Sequence, residues 1–336
     1  MSITDQESLL EIKNLQVDLP GPRKGTRKTI IQDVSLSIRA GEAVGLVGES
    51  GSGKSMTTKA IMRLLPKGAE TRGTLNYKGR QILTMSSKEL LNYRSHEVSK
   101  IYQDSRSHMN PLLTIGDFLV EGVVSSGAMT REAAMTKSAQ LMEEVGIMSP
   151  QARLAQYPHQ LSGGQLQRIM IVMALLPNPG LILADEPTAA LDMTVQSEVM
   201  AILNEQLHSR NMGMLFITHD LDLAAAVTDT LAVMYAGVIV EQGPTQALYD
   251  APRHPYTAGL LASRPSPTEV KKLVAIPGQP ISASESGQGC VFEKRCAFSV
   301  ERCRLERPAL RNIDGQMVAC HRAEEIVDRL PAGRAA

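Results

Sequence analysis

Gly48-Glu49-Ser50-Gly51-Ser52-Gly53-Lys54-Ser55 has the spacing G-x-x-x-x-G-K-[ST], a pattern whose residue types suit the holding of a polyphosphate. Glycines at 48, 51 and 53 let successive backbone N–H groups turn toward one anion. A helix beginning at Lys54 adds the partial positive charge of its N-terminus. Lys54 can reach β- and γ-phosphates and Ser55 can ligate Mg²⁺, with Ser50 and Met56 grouped with them as nucleotide-contacting positions. An ordinary Gly/Ser loop is the bland alternative. The context argues against it: the apolar run Ala43-Val44-Gly45-Leu46-Val47 precedes the loop, and helix-competent residues 54–65 follow, up to Pro66.

A second group is acidic. Leu181-Ile182-Leu183-Ala184 runs directly into Asp185 and Glu186, and charge at the end of a buried strand is costly without a cation or a partner. Mg²⁺ is such a cation: Asp185 would hold it, directly or through water, and Glu186 would polarise the water that attacks a γ-phosphate. Alone, Asp-Glu before Pro187 reads equally well as turn chemistry.

The third group is thiol. All four cysteines, Cys290, Cys296, Cys303 and Cys320, lie beyond residue 289 with the spacing C-x5-C-x6-C-x16-C. In a reducing compartment such clustering points to a ligand set more than to disulfides. Four thiolates suit either a [4Fe–4S] cluster or Zn²⁺. Structural zinc commonly uses shorter C-x2–4-C knuckles, and unligated thiols are the remaining reading.

These groups need elements to carry them. Leu9-Leu10-Glu11-Ile12 and Leu15-Gln16-Val17, a Pro/Gly/Lys/Arg loop at 20–28, and the alternating Val34-Ser35-Leu36-Ser37-Ile38 predict an N-terminal antiparallel β-region. Residues 111–176 read as helical, with Met135, Ala139, Met142 and Val145 on one face and a second helix after Ser162. Leu181-Ile182-Leu183-Ala184 and Met214-Leu215-Phe216-Ile217 flank a helix with Val199, Ile202, Leu203 and Leu207 on one face, the pattern of a βαβ unit. The expectation is an α/β chain with a mainly parallel core sheet. Its divisions are 1–104 (β-region and phosphate-loop half of the core), 105–176 (inserted helical subdomain), 177–252 (second part of the core) and 253–336 (a small cysteine-containing appendage). No internal repeat is visible, so one phosphate-loop unit is expected.

The 336 residues carry 35 basic and 35 acidic side chains, and that balance offers no electropositive face for nucleic acid. No apolar run is long enough to span a membrane and residues 1–10 lack a leader pattern, so a soluble cytosolic chain is expected. With no Trp and 3 % aromatics, the core should be aliphatic and Met-rich.

Leu161-Ser162-Gly163-Gly164-Gln165 resembles the signature of ABC ATPases. The resemblance implies a P-loop NTPase of ABC type in which Ser162, Gly163, Gly164 and Gln165 open a helix toward the γ-phosphate of a nucleotide held by a partner, so that two chains sandwich two ATPs. It assigns Gln103 to the loop that senses Mg²⁺ and the membrane subunits, Ala190-Leu191-Asp192 to the loop crossing the dimer interface, and His219 to a γ-phosphate switch. Tyr157-Pro158-His159-Gln160, Asn110-Pro111, His254-Pro255-Tyr256-Thr257, Leu260-Leu261 and the cysteine tail are similar to a narrower family, the peptide/nickel importer ATPases.

That narrower resemblance implies a second related ATPase subunit as heterodimer partner, two transmembrane permease subunits, an extracytoplasmic solute-binding protein, and a peripheral place on the cytoplasmic face of the inner membrane. Some members hold an iron–sulfur cluster in the tail, which favours [4Fe–4S] over Zn²⁺ and leaves His321 as a surface residue. Peptides are the implied cargo, with nickel, glutathione or another small solute as alternatives. A soluble ABC scaffold in iron–sulfur assembly is the rival from another class. DNA-repair and ribosome-associated ABC ATPases would want tandem motors, a coiled coil or a basic surface. Two departures stand out. Asp104-Ser105-Arg106-Ser107-His108-Met109 differs from the usual run after Gln103, and no aromatic precedes Tyr77 to stack on adenine, a duty that would pass to Leu19, Arg23 or Arg27.

Overall fold

The computed structural model describes residues 8–23, 25–188, 191–264 and 275–331. Residues 1–7, where no leader pattern is expected, and Ala190 of the interface loop lie outside the described residues. The chain forms two compact units, each gathered from separated stretches: one holds 38–42 and 77–217 with the first described residues up to Leu10, the other 11–37, 43–76 and the chain from 218 onward.

In the first unit the strands Val98–Ile101, Leu181–Asp185 and Gly213–Thr218 pair in parallel, with Ile101 opposite Ala184 and Ala184 opposite Phe216. Every residue of Leu181–Asp185 and Gly213–Thr218 is buried, as in a parallel strand covered on both faces. The helix Met193–Ser209 links these two strands and buries Val199, Met200, Leu203 and Leu207, while Ile202 is half-buried. The helices Ile115–Ser125, Arg131–Glu144 and Gly163–Leu175 pack on one another. Thr114 and Thr130 cap the first two by accepting the N–H groups of Asp117 and Ala133. In Arg131–Glu144 the buried stripe is Ala134, Ser138, Ala139, Leu141 and Met142, turned slightly from the expected one. Met135 is only half-buried and lies over Gly116 of the neighbouring helix.

In the second unit the adjacent strands Leu10–Pro20 and Arg27–Ile38 are joined by a short loop, so they form the expected antiparallel hairpin. Arg27–Ile38 pairs in parallel with Val238–Pro244 at Asp33 and Val238, and Ala43–Val47 pairs in parallel with Thr230–Tyr235. Thr230–Tyr235 and Val238–Pro244 form a tight hairpin whose two turn residues, Ala236 and Gly237, both have positive φ, the twist a two-residue turn needs. The helix after the phosphate loop spans Lys54–Ile61, short of the expected end at 65. Arg63 takes a left-handed φ of 51°, and the N–H groups of Arg63 and Leu64 turn back to the carbonyls of Ala60 and Lys59 at 2.9 and 2.7 Å. That closing motif usually takes glycine, so the sequence hid it.

Among the described C-terminal residues, Ile313, Val318 and Ala323 form a small apolar cluster. The C-terminal residues lean on the unit's main core. Gln316–Val318 pairs antiparallel with Val238–Pro244, and Val291 and Phe292 are buried with Tyr235, Tyr249, Tyr256 and Leu261. The core is largely aliphatic, as expected, and one aromatic cluster lies here: Tyr235, Tyr256 and Phe292 lie 4.7 to 5.4 Å apart between ring centres. Tilted and edge-on pairs of this kind each add about 1 kcal/mol beyond their burial.

Candidate functional site

The phosphate loop leaves the fully buried strand Ala43–Val47 and ends at the N-terminus of Lys54–Ile61. Gly48 has φ 152°, and a Cβ there would meet the Met234 carbonyl at 2.1 Å. Gly53, at φ 114°, caps the helix with its backbone alone. Both positions therefore require glycine. Lys54 is buried, its ammonium donating to the carbonyls of Gly48 (2.7 Å) and Glu49 (3.0 Å). Ser50, Gly51 and Ser55 are exposed and Met56 is half-buried. The hairpin tip steadies the loop from one side, since the Gly237 N–H donates to the Ser52 carbonyl at 2.9 Å.

His219, also in this unit, follows the end of the strand Gly213–Thr218 and is exposed. The next residue, Asp220, caps the helix Leu221–Val227. Of the residues expected near adenine, Arg27 donates to the Gly68 carbonyl at 2.6 Å and pairs with Glu70. Leu19 is half-buried and Arg23 exposed.

In the first unit the strand Leu181–Asp185 delivers the carboxylates. Asp185 accepts a 2.8 Å hydrogen bond from Lys100, and both side chains are nearly buried. Lys100, on the neighbouring parallel strand, is a partner for this buried carboxylate. Glu186 sits at φ 48°, a left-handed conformation rare for a residue with a side chain. Its N–H extends the ladder to the Ile217 carbonyl at 2.9 Å, and its carboxylate accepts from the Gln103 amide at 2.8 Å. Two residues assigned separately from sequence are thus in contact. After Gln103, the Asp104 carboxylate accepts the N–H groups of Ser107 and Arg106, which hold it below the usual carboxylate range. Tyr102 stacks on His108 at 4.1 Å.

Ser162 opens the helix Gly163–Leu175 through a capping box: its hydroxyl accepts the Gln165 N–H at 3.3 Å, and the Gln165 side-chain carbonyl accepts the Ser162 N–H at 3.0 Å. Gly163 and Gly164 are half-buried. A Cβ on Gly164 would meet Val195 at 2.7 Å, so that glycine admits the helix Met193–Ser209. Asp192 caps this second helix, accepting the Val195 N–H at 3.0 Å.

All four cysteines line one cavity, with His254, Phe292, Phe298 and Ile326 among its walls. Burial pushes the Cys290 thiol up to about 12 and the Cys320 thiol up to about 11, and raises Cys296 as well. A thiolate in such a place needs a cation. Among the described residues no three His, Cys, Asp or Glu side chains are grouped as ligands of a single metal ion. His321, expected at the surface, is half-buried and lines the cavity, its Nε2 2.9 Å from the Glu306 carbonyl oxygen. Beside the cavity, burial pushes Glu241 up to about 7 while it accepts the N–H groups of Arg253 (2.6 Å) and His254 (3.1 Å). Burial holds His254 down to about 3, and its Nδ1 accepts the Tyr256 N–H.

Two residues near these groups were missed in the sequence. Lys100 could have been flagged as the one charge in the buried strand Val98–Ile101. Arg295, next to Cys296, carried no signal beyond that position. Among the described residues no helix is long and apolar enough to cross a membrane.

Residues 31–189 match the family model described as ABC transporter. The dimeric structure of MJ0796, a bacterial ABC transporter cassette, matches with a TM-score of 0.62 at 25 % identity, over 70 % of this chain and 98 % of that one. The fold is that of an ABC-type P-loop ATPase. Residues 240–303 match the model described as oligopeptide/dipeptide transporter, C-terminal region. The chain is 38 % identical to the oligopeptide transport ATP-binding protein OppD of Salmonella typhimurium over 94 % of each chain. It is 40 % identical to the dipeptide transport ATP-binding protein DppD of Escherichia coli over 87 % of this chain and 90 % of the relative. The chain belongs to the family of oligopeptide and dipeptide transport ATP-binding proteins.

Proposed function

We propose that this chain is the ATP-hydrolysing subunit of a multi-chain ABC importer that drives di- and oligopeptides across the cytoplasmic membrane. The observation that carries the reading is the near end-to-end similarity to peptide transport ATP-binding proteins, C-terminal region included. The subunit works peripherally, with two permeases, an extracytoplasmic solute-binding protein and a second, related ATPase as partners. Nickel, glutathione and the iron–sulfur scaffold reading have no such support.

Gly48, Ser50, Gly51, Gly53, Lys54, Ser55 and Met56 hold the ATP phosphates, with Lys54 leaving its loop carbonyls for the β- and γ-phosphates. Ser55, Gln103 and Asp185 are assigned to Mg²⁺ on donor chemistry, since hydroxyl, amide and carboxylate oxygens are what that ion takes. When bound, the ion neutralises charge on the β- and γ-phosphates. Glu186 orients and deprotonates the attacking water while Gln103 holds its carboxylate. His219 reports the γ-phosphate. Ser162, Gly163, Gly164, Gln165 and Asp192 serve the partner's nucleotide.

Cys290, Cys296, Cys303 and Cys320 would hold a [4Fe–4S] cluster, a reading supported by an all-thiol donor set around one cavity. When bound, the cluster would supply the positive charge that these buried thiolates need. Anaerobically purified chain should contain about four irons; stoichiometric zinc without iron would establish Zn²⁺ instead. The transport reading is tested by reconstituting the chain with its permeases, second ATPase and binding protein in vesicles. Labelled peptide should accumulate at the cost of ATP. Uptake of nickel or glutathione with none of peptide would reassign the cargo.

A further inference from the structure

The phosphate loop is held from a part of the chain far from it in sequence. The Arg295 guanidinium grips the Glu49 carboxylate with both arms, Nη1 to Oε2 at 2.6 Å and Nη2 to Oε1 at 3.1 Å. Arg295 is itself 7 % exposed. Two further donors meet fixed acceptors, Nε the Pro277 carbonyl at 2.9 Å and Nη1 also the Tyr235 hydroxyl at 3.3 Å. The guanidinium carbon lies 5.7 and 5.8 Å from the ring centres of Tyr235 and Phe292. A planar fork with this many partners has one orientation open to it.

Glu49 is held on every polar group it has. Its N–H donates to the Tyr256 hydroxyl at 2.9 Å. Its carbonyl accepts from Lys54 at 3.0 Å and from the Ser52 N–H at 3.3 Å, and its carboxylate belongs to Arg295. Glu49 is the residue after Gly48, so its peptide planes set the direction of the loop that follows. We propose that Arg295, with Tyr256, is a positioning residue of the phosphate loop: it acts through Glu49 to hold the loop's amides and Lys54 in the geometry that binds nucleotide phosphates. The inference rests on the reading of residues 48–55 as that loop.

A purely structural ion pair is the competing account, and the energetics separate the two. Removing one partner of a buried pair is strongly destabilising when it leaves the other charge buried. The Glu49 side chain is 24 % exposed, so on losing Arg295 it can turn to water. The loss then falls on loop order more than on the fold.

The test uses the full chain in its complex, with ATP hydrolysis measured against ATP concentration and affinity for a fluorescent ATP analogue measured directly. Arg295→Met keeps volume and removes the fork. It should raise KM and weaken nucleotide affinity about tenfold, the worth of a charge-assisted contact, while kcat at saturating ATP and the unfolding midpoint stay near wild type. A structural role would lower kcat through fewer active molecules, with KM unchanged, and that result overturns the proposal. Arg295→Lys, which keeps charge without the fork, should rescue only part of the affinity. If Arg295→Met does not fold, Tyr256→Phe decides: it deletes only the hydroxyl that accepts the Glu49 N–H and should raise KM about threefold, and an unchanged KM refutes the inference. Lys54→Ala is the control on the underlying reading. If it binds the analogue as well as wild type does, the loop assignment has failed; if it does not bind while both positioning variants match wild type, only the inference has.

Discussion

In the phosphate loop the chemistry is assigned mainly to backbone, and glycine is required at Gly48 and Gly53 because a side chain would collide or strain. In the thiol cavity the chemistry is assigned to side chains that arrive from four separate points between residues 290 and 320. The first kind of site writes itself into local spacing, because each glycine answers to a φ angle within the same few residues. The second depends on how turns pack, here against Tyr256 and Phe292. Local geometry and tertiary packing thus leave different traces, and variants of the two regions should fail in different ways.

The scale is set outside both regions. Glu186→Gln is expected to keep ATP binding and lower hydrolysis on the order of 10²- to 10⁴-fold; near-normal turnover in the purified complex would remove Glu186 from that role. In the phosphate loop, Lys54→Ala should weaken ATP affinity on the order of 10²- to 10³-fold by deleting charge-assisted contacts to phosphate, read by equilibrium binding of a labelled nucleotide. A loss confined to kcat would break the comparison, since the loop's task would then not be binding.

Beside the cavity, Glu241 gives a pH signature. Its folded pKa, about 7, lies above the ordinary glutamate value of 4.5, so the folded state binds the proton more tightly than the unfolded one. Its contribution is fully present below about 4.5 and is lost as pH rises through about 7. Wild type should lose stability relative to Glu241→Gln across that window, by at most about 3 kcal/mol, with the difference flat above it. Denaturant titrations of both proteins from acid to neutral pH check the sign; a gap that widens the other way would contradict it. The smallest effect on ATP chemistry is expected from Cys303→Ser, which should strip iron from the chain and disturb the region after Gly289 while hydrolysis changes by less than about threefold. Metal analysis beside a hydrolysis assay reads it, and complete loss of hydrolysis would mean that the two regions function as one.

Much of the molecule was legible for this same reason. Ser162 and Gln165 spell a capping box, and the helix begins where they say. The uninterrupted apolar runs at 43–47 and 181–184 became fully buried strands. What stayed hidden was pairing that needs register or distance. Lys100 meets Asp185 only because two parallel strands align. Arg63 ends its helix with a left-handed residue that composition does not announce. Gln103 and Glu186 were each named for a task, but their mutual hydrogen bond follows from where a strand end and a loop come to rest.

The Glu49–Arg295 pair spans 246 residues, and a ribosome adds residues one at a time. At about 5 to 20 residues per second, roughly 10 to 50 s separate the emergence of Glu49 from that of its clamp. Through that interval the phosphate loop exists without the groups that orient it, together with a buried arginine's worth of unfilled core. Nucleotide competence is therefore among the last properties this chain acquires as it is made, and a nascent or truncated subunit that ends before residue 295 is a poor competitor for ATP.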